Sequence, residues 1–193
     1  MHHNIVADWF GESFSLLHPQ LQTLHRQGGK LKGTVHITFG RGLGGVLGKR
    51  IAAKLNIPQL DSCHLQVNIK HSAQGLHWDR SFAHQPMMKS LFKPIRSHND
   101  GYWIEATGPL ALYLTVDIQD AGWYWQCQKY TLWGIPLPRW LFPKSTAYKT
   151  IENGLYRFYV GFSFPLLGEL FSYSGLLSLE TDAAHTEQTH STY

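Results

Sequence analysis

The sequence predicts a mainly β protein with a few helices near its N-terminus, folded as an antiparallel up-and-down barrel or a strongly curved sheet. Hydrophobic and polar residues alternate over most of the chain after residue 60, which is the period of half-buried strands. The gaps between these segments are hairpin-sized, whereas parallel strands need longer crossovers. A sheet of eight to ten strands must curl or close to lose its edges.

Composition and charge fit one folded domain. The chain has 193 residues, of which 43% are hydrophobic and 16% are charged. We expect one β-rich domain over residues 1–180 and a flexible polar tail over 181–193. The net charge of +4 comes without a dense run of cations, so no nucleic-acid partner is expected. Without a signal-peptide pattern or a transmembrane segment, we expect a cytoplasmic location.

Two helical segments are predicted, near residues 9–27 and 45–55. Apolar side chains recur in the first segment at intervals of three and four, which forms one stripe. Pro19 divides this segment into two short helices, because proline fits only the first turn of a helix. In the second segment, leucine and isoleucine recur every four residues. We expect the N-terminal helices to pack on the barrel or to plug it.

Period-two alternation predicts the strands, most strongly near the C-terminus and only weakly at 87–92. The predicted strands are 30–39, 65–70, 76–82, 87–92, 102–107, 110–118, 123–128, 156–164 and 171–179.

Arg80 is the most informative single residue. It lies in phase with Trp78 and Phe82, so it is predicted to point to the apolar face of its strand. A buried arginine without a partner costs about 3–5 kcal/mol, and Glu105 and Glu169 are the candidate partners. One interpretation is a buried Arg–Glu pair that fixes strand register. The other is an arginine at the base of a cavity that holds an anionic head group such as a carboxylate.

The aromatic content of 13%, together with Arg80, favours a non-catalytic module that binds a small ligand inside the barrel. The ligand would be apolar or amphipathic, and anionic if Arg80 contacts it. The candidate ligand-binding residues are Arg80, Glu105, Trp78, Trp103 and Trp125.

The segment 133–143 is an unusually apolar loop. We expect it to cover one barrel end as a lid on the core, or to form the cavity mouth, a partner surface or a membrane-touching loop. Trp133, Trp140 and Phe142 are its candidate mouth or partner residues.

The segment 40–45 matches the G-x-G-x-x-G pattern and lies between a strand and a helix. A dinucleotide site is not favoured, because the strand before it alternates, whereas the first strand of such a site is buried on both faces. A looser alternative is an anion-binding turn at Arg41, Gly42 and Gly45. The remaining alternative is a simple glycine turn.

No local motif indicates catalysis, and no metal or other cofactor is expected. Cys63 and Cys127 lack metal spacing and are expected to be buried free thiols, with one disulfide as the alternative. The twelve histidines lack ligand spacing. An unrecognised enzyme using Arg80, Glu105 and His77 stays open, although His77 faces away from Arg80 in a strand.

Several short segments, in order over roughly residues 14–179, resemble a bacterial family known as domain of unknown function family 4166. The segments are Leu17-His18-Pro19 with Leu21, Gly40-Arg41-Gly42, Trp78-x-Arg80-x-Phe82, Glu105 with Gly108-Pro109, Gly134-Ile135-Pro136-Leu137-Pro138, Arg157-Phe158, Pro165-Leu166-Leu167-Gly168 and Tyr173-x-Gly175-x-Leu177. The resemblance carries no activity. It implies that members occur alone or behind a saccharopine-dehydrogenase-like NADP-binding domain. An accessory role for an oxidoreductase partner is therefore the second expectation. The general architecture is expected to be lipocalin-like.

Overall fold

A computed structural model describes residues 4–107 and 109–180 of the chain. Over these residues the α-helices are α1 (Ile5–Phe10), α2 (Pro19–Gln27) and α3 (Gly42–Lys54), and 3₁₀ turns lie at Gly11–Leu16 and Arg139–Leu141. The strands are β1 (Gly29–Phe39), β2 (Ser62–Ser72), β3 (Gly75–Phe82), β4 (Leu91–Ile95), β5 (Tyr102–Thr107), β6 (Leu110–Gln119), β7 (Gly122–Leu132), β8 (Ile135–Leu137), β9 (Lys144–Glu152), β10 (Leu155–Phe164) and β11 (Gly168–Leu179). The expected tail at 181–193 lies outside the described residues.

Ten of the strands form a closed antiparallel barrel. Each strand pairs with the next one in the chain, except that β9 follows β7 in the wall, and β11 returns to pair with β1. The short β8 pairs only with the last residues of β7. The predicted up-and-down barrel is confirmed, and the architecture is consistent with a lipocalin-like outline. Closure removes the free edges that an open sheet would expose.

The N-terminal helices close one end of the barrel, called here the closed end. Their apolar stripe is buried, and it includes Trp9, Phe10, Phe14, Leu17, Leu21 and Leu24. The backbone N–H of His98 donates to the carbonyl of Trp9 (2.7 Å), and that of His18 donates to the carbonyl of Ala121 (2.8 Å). These bonds hold the N-terminal segment 4–28, called here the plug, to two of the connections at that end. The predicted division of the helix at Pro19 is confirmed.

The first helix begins four residues earlier than the predicted start near residue 9. Asn4 caps it, and its side-chain oxygen accepts from the backbone N–H groups of Val6 (3.2 Å) and Ala7 (2.9 Å). The weakly marked strand at 87–92 was placed too early, because the paired segment is β4. Met88 forms only a single bridge, with Arg80.

Two observed strands, β8 and β9, were not predicted. In β9 the positions that face the barrel interior include Ser145, Ala147 and Lys149. None of these is a large apolar residue, so the strand lacks the alternation that identified its neighbours. This departure from the pattern occurs where the strand lines a cavity.

Helix α3 lies across β11 at the opposite end, called here the open end. A Cβ on Gly48 would lie 2.0 Å from the carbonyl oxygen of Leu170, and one on Gly44 would lie 2.5 Å from that of Leu167. The glycines therefore allow a close approach of the helix to the strand. The observed helix begins at Gly42 rather than near residue 45.

Candidate functional site

The barrel holds a cavity of about 540 Å³ between the plug and the open end. This volume lies within the roughly 300–1,000 Å³ that is typical of small-molecule sites. Apolar and aromatic side chains form most of the wall, among them Leu65, Val67, Phe92, Leu114 and Phe158. Near the open end, α3 contributes Lys54 and Leu55, and the loop before β9 contributes Phe142.

Arg80 crosses the barrel interior and is held by three side chains. Its Nη1 donates to the hydroxyl of Tyr173 (3.0 Å), and its Nη2 donates to Ser90 Oγ (2.7 Å). The same Nη2 lies 3.5 Å from Glu105 Oε1. Burial acts to lower the pKa of Arg80, but Tyr173 and Glu105 outweigh it and the pKa is raised. The guanidinium is therefore charged and largely paired within the protein.

Of the two predicted partners, Glu105 contacts Arg80 and Glu169 does not. Glu169 lies at the exposed start of β11, where it pairs across the rim with Ser163. The expectation of Glu169 as a partner was wrong, because β11 presents Tyr173 rather than Glu169 at the depth of Arg80. The predicted Arg–Glu pair is present, although its side chains are 15% and 18% exposed rather than fully buried, and it forms part of the cavity wall.

Lys149 is a second buried cation in the wall, and sequence reasoning missed it. It lies on β9 opposite Trp123 of β7 and Phe158 of β10, and only 3% of it is exposed. Its Nζ lies 4.0 Å from the ring centre of Trp78, 3.8 Å from that of Trp123 and 5.6 Å from that of Trp125. The amine is thus held by aromatic faces, which attract cations.

No carboxylate lies within salt-bridge distance of Lys149 among residues 4–107 and 109–180. Burial, together with the nearby charge of Arg80, lowers the pKa of Lys149 well below its ordinary value of 10.5. Among the side chains that the structure describes, the deep wall therefore carries two basic ones, Arg80 and Lys149, and one acidic one, Glu105.

Four of the five predicted ligand-binding residues line the cavity: Arg80, Glu105, Trp78 and Trp125. Trp103 does not line it. Its side chain is fully buried behind the wall, with ring centres 5.3 Å from Trp9 and 6.4 Å from Trp125. Trp103 therefore packs the plug against the barrel, and its proposed ligand contact is not favoured by its position.

The predicted mouth residues divide in a similar way. Phe142 lines the cavity and stacks on Tyr130, with ring centres 5.0 Å apart. Trp133 and Trp140 are 76% and 68% exposed and do not line the cavity. The loop therefore has one member inside the entrance and two on the outer surface.

Close packing accounts for one glycine of the predicted anion-binding turn. A Cβ on Gly45 would lie 2.1 Å from the carbonyl oxygen of Gly40, while Gly42 has open space and a φ of 56°. Arg41 is exposed and makes no side-chain capping bond. Anion binding by Arg41, Gly42 and Gly45 stays a prediction.

The remaining candidate groups are dispersed. Both cysteines are free: Cys63 is buried, as predicted, whereas Cys127 is half-buried. His77 bonds to Ser72 Oγ (2.8 Å) on the barrel exterior, so the structure does not bring it together with Arg80. Within the described residues, no three His, Cys, Asp or Glu side chains converge as metal ligands.

Comparison with known proteins identifies the family to which this chain belongs. The family described as Domain of unknown function (DUF4166) matches residues 17–177, which is most of the chain. The chain therefore belongs to this family, as the resemblance of its motifs predicted. Neither a curated protein nor a solved structure matches it. None of the helices in the described part of the chain is long and apolar enough to span a membrane.

Proposed function

We propose that this protein is a non-catalytic binding module that takes a small amphipathic anion into the barrel cavity. The ligand class is an apolar chain or ring system that ends in a single carboxylate or similar anion. The observation that carries the proposal is Lys149, a buried amine in the cavity wall that has no carboxylate partner within the described part of the chain.

The apolar part of the ligand would replace contacts with water by contacts with the cavity wall. Trp78, Trp125, Phe92 and Phe158 offer large apolar surfaces there. Burial of apolar area contributes about 25 cal/mol per Å², so a ligand that fills the cavity gains most of its affinity from this term.

The anionic end would lie against Lys149, with Arg80 beside it. An anion favours the protonated amine, so it would reverse the effect of burial on the pKa of Lys149. Arg80 is already paired with Glu105 (3.5 Å), so it would orient the head group while Lys149 supplies the unbalanced charge. Binding would therefore take up a proton at Lys149 when the amine is neutral beforehand.

Native mass spectrometry of the protein as purified from cells tests this proposal. The expected result is an added mass that disappears on denaturation, with an acidic amphiphile in the extract. The Lys149→Met variant, purified in parallel, should retain less of it. A clean mass for the wild type, with no uptake of an added fatty acid, would overturn the proposal.

A role as an accessory domain for an oxidoreductase partner is the alternative, and it rests on the family resemblance. A dehydrogenase that co-purifies with the tagged protein would support it. The cytoplasmic location likewise stays a prediction.

A further inference from the structure

The two ends of the barrel expose very different amounts of apolar surface. The structure describes twelve large hydrophobic residues with exposed side chains, and nine of them lie at the open end. They include Leu43 and Val46 on α3, and Trp133 and Trp140 on the loop between β7 and β9. Exposed apolar patches of this kind mark interaction surfaces.

The connections at the same end contain more cations than carboxylates. The connections at the open end span residues 40–61, 83–90, 109, 133–143 and 165–167. They contain six cations and one carboxylate, which are Arg41, Lys49, Arg50, Lys54, Lys89, Arg139 and Asp61.

The closed end has the opposite balance. Its connections, at residues 4–28, 73–74, 96–101, 120–121 and 153–154, contain two cations and four carboxylates. These are Arg26, Arg96, Asp8, Glu12, Asp100 and Asp120. The charge of the described connections is therefore polarised along the barrel, with the positive end at the cavity entrance.

We propose that the open end docks onto an anionic membrane surface. Cations on α3 would approach the lipid phosphates, and the indole rings of Trp133 and Trp140 would enter the interfacial layer. A second copy of the chain is disfavoured as the occupant, because two such ends would bring like charges together. Exchange of ligand between the bilayer and the cavity rests on the proposed function, whereas the docking does not.

Vesicle co-sedimentation tests the docking. The purified full chain is mixed with vesicles of phosphatidylcholine alone, or of equal parts phosphatidylcholine and phosphatidylglycerol. We expect binding to the anionic vesicles at low salt, little binding to the neutral ones, and loss of binding at high salt. Absence of binding to anionic vesicles at low salt would overturn the proposal.

Two double variants test whether the open end, rather than another part of the surface, binds the vesicles. Lys49→Glu with Arg50→Glu should weaken binding at least about tenfold, since both cations lie on α3. The matched control, Lys70→Glu with Lys93→Glu, makes the same change in net charge on the exposed barrel wall and should retain most binding. Equal losses in the two variants would contradict docking through the open end.

A second pair tests the apolar contribution. Trp133→Ala with Trp140→Ala should reduce vesicle binding, while Leu16→Ala with Leu179→Ala, at the closed end, should not. A dimer in solution that the Trp133 and Trp140 changes abolish would assign this surface to a second copy and overturn the proposal. Ligand uptake is measured separately, so failure of docking and failure of the cavity are distinguishable.

Discussion

Lys149 and Trp123 occupy directly opposite positions on β9 and β7, and the Nζ of Lys149 lies 3.8 Å from the ring centre of Trp123. Trp78 approaches the same amine from β3, at 4.0 Å. Aromatic faces stabilise a cation without accepting its N–H groups in strong hydrogen bonds. This arrangement holds the amine in place within the cavity wall.

Replacement of Lys149 by Met should stabilise the ligand-free protein. Burial lowers the pKa of Lys149 well below 10.5, so at neutral pH the unfolded chain holds a proton that the folded chain binds less tightly. We therefore expect Lys149→Met to raise the free energy of unfolding, measured in urea at pH 7, by more than the roughly 0.5 kcal/mol of an ordinary surface substitution.

The matched control is Lys144→Met, at the exposed start of the same strand. It should change the free energy of unfolding by less than about 0.5 kcal/mol. If Lys149→Met destabilises the protein as much as an ordinary core substitution does, Lys149 contributes to the fold and its role in binding loses its main support.

Loss of Arg80 should destabilise the protein strongly. Arg80→Met leaves the Glu105 carboxylate, whose side chain is only 18% exposed, without its partner, and breaking a fully buried pair of this kind costs about 3–5 kcal/mol. The double variant with Glu105→Gln should recover part of this loss. The exposed pair of Arg157 and Glu152 (2.8 Å) provides the comparison, and Arg157→Met should cost no more than about 1 kcal/mol. Equal changes in the free energy of unfolding at the two sites, measured with denaturant, would show that the Arg80–Glu105 pair stabilises the protein no more than the exposed pair does.

The stability of the protein should fall as the pH drops below about 6.5, in part because of His25. The His25 ring is fully buried between Trp78 and Trp123, with ring centres 5.5 and 4.7 Å away. Burial, with the nearby charges of Lys149 and His71, lowers its pKa well below 6.5. The unfolded chain then binds a proton that the folded chain does not, so the free energy of unfolding decreases with decreasing pH.

His25→Phe keeps an aromatic ring in the stack and should reduce this dependence between pH 7.5 and 5.5. His64→Phe, on the exposed face of β2, should leave the dependence as it is in the wild type. His71 also has a lowered pKa and acts in the same direction, so some dependence should remain. An unchanged pH profile in His25→Phe would show that His25 does not resist protonation.

The position of α3 should depend on Gly48. A Cβ there would lie 2.0 Å from the Leu170 carbonyl oxygen, so Gly48→Ala must push the helix away from β11. Overpacking of this kind costs about 1–3 kcal/mol and would displace Lys54 at the cavity entrance. Lys49→Ala, on the neighbouring exposed position, should cost less than about 0.5 kcal/mol in the same unfolding experiment.

The sequence predicted the barrel because most strands bury one face in a continuous core. Strands such as β1, β2 and β10 alternate clearly, and their residues appear in the structure within a few positions of the predicted bounds. The phase of Arg80 among Trp78 and Phe82 was likewise sufficient to place it in the interior. In these strands every second side chain points into the core, so the alternation in the sequence also predicts which residues are buried.

Lys149 could not be found in this way. Its strand faces the cavity with small or polar side chains, so the alternation that identifies a strand is missing. Its neighbours Trp78 and Trp123 come from distant parts of the chain, and only closure of the barrel brings them to the amine. Whether Glu105 or Glu169 contacts Arg80 also depends on the register between strands. Hydrophobic patterning alone does not fix this register for a single residue.

The most direct test of the account compares a fatty acid with the alcohol of the same chain length. Quenching of tryptophan fluorescence reports binding, because Trp78 and Trp125 line the cavity. We expect the wild type to bind the acid at least about tenfold more tightly than the alcohol, as a charged hydrogen bond would give. Lys149→Met should lose this preference and keep its affinity for the alcohol. Equal affinities for acid and alcohol in the wild type, or binding of neither, would contradict an anion-binding cavity.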